Sequence, residues 1–124
     1  MEELFIELDE LEEVEKMLRS NIFAFPAMHV GDGQCTFNRF CAPLLGEYVQ
    51  WFTTPEYVIG LPAKKGERNA FKVQGTIVTG RCINTTFPIV LKTEKKIMSG
   101  YYKIYKYKNG FAFKRYEQLD PKTV

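Results

Sequence analysis

The chain has 124 residues, a size at which one hydrophobic core is expected and two independent cores are not. Its 45 % hydrophobic and 26 % charged fractions are those of a folded globular chain rather than a disordered one, and no apolar run nears the roughly 20 residues of a membrane-crossing helix. The net charge of +2 conceals an asymmetry: residues 1–62 carry three basic and eleven acidic side chains, and residues 63–124 carry fourteen and four. Either the halves match each other electrostatically or the second offers a basic surface to an acidic partner.

In chain order, Asp9 and Glu12 have the spacing of a capping box, and Leu11, Val14, Met17 and Leu18 follow at helical intervals. They predict an amphipathic helix over residues 9–20, acidic in its first turn and basic in its last, as the helix dipole favours. It reads as an acidic arm for a basic partner or as a helix laid on the core. Residues 22–28 are apolar and aromatic around Pro26, which fits an edge strand or an irregular extended segment. Gly31-Asp32-Gly33 marks a turn. Residues 35–37 read as a strand, Asn38 as the cap of a short helix running to about Leu45, and Gly46 as its left-handed stop. Residues 48–53 and 57–61 are β-rich and joined by Thr54-Pro55-Glu56, which places Trp51 on the face of Val49.

Residues 64–69 have the polar, glycine-containing character of a linker, and residues 71–78 resume strand character. Residues 81–84 read as a strand, Thr85 or Thr86 as a cap, and Pro88 as a first-turn residue of a second helical segment. A basic run, residues 92–96, follows before Gly100. Asn109-Gly110 signals a hairpin. A three-residue loop, Lys108-Asn109-Gly110 with Gly110 left-handed, pairs Tyr107 with Phe111 and Tyr105 with Phe113, which sends one aromatic face toward the core.

Two stretches echo each other: Gly33-Gln34-Cys35 with its strand, helix and hairpin, and Gly80-Arg81-Cys82 with a similar succession. The chain therefore divides, within one domain, into an N-terminal helix (1–20), a first unit (22–62), a linker and strand (63–79), a second unit (80–117) and a tail (118–124). Three cysteines without C-x-x-C spacing fit neither a disulfide framework nor a zinc site, so a reducing cytoplasm is the expected location. Catalysis is not expected. His29 is the single histidine and sits among apolar residues, Cys35 has no second histidine to activate it, and no phosphate loop, metal-ligand cluster or cofactor motif appears.

The run Gly33-Gln34-Cys35-Thr36-Phe37-Asn38, the Leu45-Gly46 stop, Glu47-Tyr48-Val49 and the hairpin closing in Ile59-Gly60-Leu61-Pro62 resemble the AbrB/MazE/SpoVT swapped-hairpin superfamily. The resemblance implies an α+β, mainly β fold, a small barrel or sandwich of two hairpin units plus the N-terminal helix. It also implies DNA binding through arginines on the phosphate backbone. Arg81 keeps the motif's arginine, Gln34 replaces it in the first unit, and Arg39 lies nearby. Independently of that likeness, basic residues interleave with tyrosine and phenylalanine in the second half, the pattern of surfaces that hold phosphates while bases stack. The expected nucleic-acid contacts are Arg39, Arg81, Lys92, Lys95, Lys96, Lys106 and Lys114. The leading expectation is a nucleic-acid-binding regulator acting on duplex DNA, as a monomeric pseudo-dimer or a homodimer. The other is a protein-interaction module with an unknown protein partner.

Overall fold

The computed structural model describes residues 23–75 and 83–121. The helix expected over residues 9–20, the Gly80-Arg81-Cys82 half of the echo and the last residues of the tail lie outside them. The described chain is mainly β, with two five-stranded antiparallel sheets packed face to face. The first contains β1 (Ala27–Val30), β2 (Gln34–Phe37), β6 (Ile83–Thr86), β7 (Gly100–Lys103) and β10 (Gln118–Leu119), in the order β10-β7-β1-β2-β6. The second contains β3 (Tyr48–Thr53), β4 (Tyr57–Ala63), β5 (Phe71–Lys72), β8 (Tyr105–Tyr107) and β9 (Gly110–Lys114), in the order β5-β3-β4-β9-β8. A 3₁₀ helix (Arg39–Leu44) follows β2, and α1 (Ile89–Thr93) follows β6.

Period-two alternation builds the core. Met28 and Val30 on β1, Cys35 and Phe37 on β2, Tyr102 on β7, and Phe111 and Phe113 on β9 all point inward and are nearly or fully buried. Register puts them opposite one another, with Met28 beside Phe37 and Val30 beside Cys35. Aromatic rings then span the two layers: Phe37 meets Phe111 edge-on at 5.3 Å, Trp51 meets Phe87 at 5.2 Å, and Tyr102 lies 4.6 Å from Phe113. The indole N–H of Trp51, on the face of Val49 as its parity predicts, donates to the Thr86 carbonyl at 3.1 Å.

Apart from the β10–β7 pair, the strand pairings of one half have counterparts in the other. β1 pairs with β2 and with β7; correspondingly, the segment containing β5 bridges β6 through Gln74 and Asn84 and pairs with β3. β2 pairs with β6 and β4 with β9, while β3–β4 matches β8–β9. The chain passes between sheets at buried Ile104, whose N–H donates to the Pro26 carbonyl at 2.9 Å. Among the described residues the arrangement is a sandwich and not a closed barrel, since only the single Gln74–Asn84 bridge joins strand edges of the two sheets.

Several local expectations are corrected. Pro26 precedes a central strand, not an edge strand, because β1 begins one residue later, between β2 and β7. Asn38 makes no cap bond; its amide instead ties down residues 25–27. Gly46 is not left-handed, and the 3₁₀ helix ends in extended Leu45. Thr85 and Thr86 belong to β6, where the buried Thr85 hydroxyl donates to the Lys72 carbonyl at 2.8 Å, and Pro88 immediately precedes α1. Residues 118–119 of the expected tail form β10.

The last hairpin also has a different register. Its loop is Lys108-Asn109, with Tyr107 opposite Gly110, Lys106 opposite Phe111 and Tyr105 opposite Ala112. Lys108 takes the left-handed conformation at φ 50°. Gly110 is required for another reason: a Cβ there would overlap the Gly60 carbonyl and press on Leu61 and Pro62, so β9 approaches β4 too closely for any side chain.

Candidate nucleic-acid interface

The register of β8 and β9 sorts the aromatic residues by face. Phe111 and Phe113 go inward, whereas Tyr105 and Tyr107 go outward and are each 37 % exposed. On the outer face of the second sheet, Tyr105, Ala112, Ile59 and Phe52 form one row across four strands. Tyr57 and Lys114 stand opposite each other in the next row. Because β9 presents only the small Ala112 between Tyr105 and Ile59, a groove of about 530 Å³ opens above it. Ala112 lies on its floor, Tyr105 and Tyr107 form one wall, and Tyr57 and Ile59 form the other.

Cations border the groove. The Lys103 and Lys114 ammonium groups each lie 5.4 Å from the Tyr105 ring centroid, and that of Lys108 lies 5.4 Å from the Tyr107 centroid. Lys106 lines the groove at the edge strand; its place opposite Phe111 puts a charge on a strand that would otherwise offer an open edge for pairing. Lys114 also meets Glu117 at 3.6 Å, and this carboxylate, followed by Tyr105, raises the pKa of the ammonium above its ordinary value.

The other expected phosphate contacts lie elsewhere. Arg39 is exposed on the 3₁₀ helix with its guanidinium 4.9 Å from the Phe40 centroid. Lys92 is engaged inside the molecule: its ammonium forms an ion pair with Asp32 and donates to the Gly31 carbonyl at 3.2 Å and to Ser99 Oγ at 2.6 Å. All three of its protons are thereby used. Lys95 and Lys96 are exposed beyond α1, where Arg115 clasps the Lys95 carbonyl at 2.6 Å and the Thr54 carbonyl at 2.8 Å. Arg81 lies outside the described residues. The structure thus brings Lys106 and Lys114 into one groove and adds Lys103, Lys108 and the three tyrosines. The strict alternation Tyr105-Lys106-Tyr107-Lys108 carries the signal, but which of its two faces looks outward depends on the hairpin register.

Cys35 and Cys41 are unpaired and fully buried, and burial raises the pKa of both, that of Cys41 to about 12. Among the described residues no group of three or more His, Cys, Asp or Glu side chains is placed to hold a metal ion, and no helix is long and apolar enough to cross a membrane. No family model, curated protein or solved structure matches the chain.

Proposed function

We propose that the chain is a nucleic-acid-binding protein of regulatory type, built as a single-chain pseudo-dimer of two AbrB-like hairpin units and working in a reducing cytoplasm. The observation that carries this reading is the gathering of four lysines about the solvent-facing Tyr105 and Tyr107: the ammonium groups of Lys103, Lys108 and Lys114 lie 5.4 Å from one or other ring, and Lys106 lines the groove beside them. A polyphosphate backbone is the partner that several cations on one face can neutralise together. The exchangeable strand pairing supports the pseudo-dimer, since the two halves supply equivalent strands to shared ladders within one chain.

The test is binding of labelled nucleic acid followed across a salt series. Affinity is expected to fall steeply between about 50 and 200 mM salt, and the combined Lys106→Gln and Lys108→Gln variant is expected to flatten the slope by about one to two contacts. Absence of binding at low salt, or affinity independent of salt, would overturn the reading. A second reading, a protein-interaction module, is favoured by the solvent-facing Ile89, Val90 and Met98 around α1, which are 64, 40 and 69 % exposed.

A further inference from the structure

We infer that the nucleic acid held in this groove is single-stranded, with unpaired bases stacking on Tyr105 and Tyr107 while the phosphates lie on the bordering lysines; the inference rests on the nucleic-acid-binding reading above. Stacking requires an aromatic face that is both accessible and held in place. Tyr105 and Tyr107 are more than a third exposed, and ammonium groups lie 5.4 Å from their ring centroids, those of Lys103 and Lys114 at Tyr105 and that of Lys108 at Tyr107. They stand on one face of β8, two residues apart, so their positions differ by about 6.8 Å along the strand. That is twice the rise of about 3.4 Å between successive stacked bases.

The floor has the complementary shape. Ala112 lies directly opposite Tyr105, and its small side chain leaves room above β9 for a flat ring, which Tyr57 and Ile59 confine from the other side. A duplex keeps its bases paired and stacked, and the rods formed by its backbones reach only the lysines at the rim. An unpaired base enters the groove and takes both contributions, stacking and charge. The Glu117 carboxylate beside Lys114 disfavours phosphate at that end and places the phosphate track toward Lys106 and Lys108. Among the described residues no row of buried hydrogen-bonding side chains lines the groove, so tolerance of base identity follows.

The experiment compares a labelled oligothymidylate of about 15 nucleotides with a blunt duplex of the same length by fluorescence anisotropy, at about 50 mM salt. The single strand is expected to bind at least about tenfold more tightly. Tyr105→Leu and Tyr107→Leu are each expected to weaken single-strand binding at least about fivefold while leaving duplex binding within about twofold, and Tyr105→Phe is expected to retain binding. Equal affinity for the two forms, or single-strand binding indifferent to both leucine variants, overturns the inference and leaves the salt-dependent reading standing. Binding to neither form overturns both.

Discussion

Asn38 is 3 % exposed, and one amide serves two backbone groups: its Nδ2 donates to the Phe25 carbonyl at 2.7 Å, and its Oδ1 accepts from the Ala27 N–H at 3.2 Å. The same oxygen accepts from the Cys41 thiol at 3.5 Å. Asn38→Ala leaves a carbonyl and an N–H without these partners at the entry to a central strand, and is expected to lower unfolding stability by about 1–3 kcal/mol in a urea titration. The residue was legible in the sequence as special, since asparagine between a strand and a helical turn commonly acts through its side chain. Its partners were not legible. They precede it by eleven and thirteen positions, and only the β1–β2 pairing brings them within reach.

Among the elements, the β4–β9 pair joins the halves at its tightest point. Gly60 stands directly opposite Phe111, and a methyl group on Gly60 would overlap the Phe111 ring, which is 1 % exposed. Gly60→Ala is therefore expected to cost about 1–3 kcal/mol by overpacking, measured by denaturant titration. Adding Phe111→Leu to that variant is expected to cost less than the two single changes together, because the ring that clashes is gone. Strands β3 and β4 and their Thr54-Pro55-Glu56 turn could be read from alternation and turn chemistry, and the Thr54 hydroxyl accepts from the Tyr57 N–H at 2.9 Å as such a turn requires. The β8–β9 register could not be read. Asn109-Gly110 resembles a turn pair, but Gly110 answers to the close approach of β4, a contact made across fifty residues of chain.

For the whole molecule, Lys92 fastens the β1–β2 turn of the first half to α1 and Ser99 of the second. The ammonium beside Asp32 holds this carboxyl below its ordinary value of 3.8, first by hydrogen bonding and then by charge. A carboxylate whose pKa is lower in the folded state contributes stability fully above the unfolded value and loses it as pH falls through the folded one. The stability gap between the native protein and Asp32→Asn is thus expected to be constant at neutral pH and to close below about pH 4, followed by thermal melting across an acid series. The charge asymmetry between the halves was visible in the sequence. Which bases face solvent was not: Lys92 is consumed in joining the halves, while Lys106 and Lys114 border the outer groove.

The sequence by itself determined the mainly β class, the strands at 48–53 and 57–61, the sharing of one face by Trp51 and Val49 and the basic second half, because alternation, turn residues and charge are local properties of the chain. Tertiary structure alone decided that β1 is central, that the halves share their ladders, and that Tyr105 and Tyr107 face outward while Phe111 and Phe113 face inward. Each of these depends on register between distant strands, and a shift of one residue sends every side chain of a strand to the opposite face.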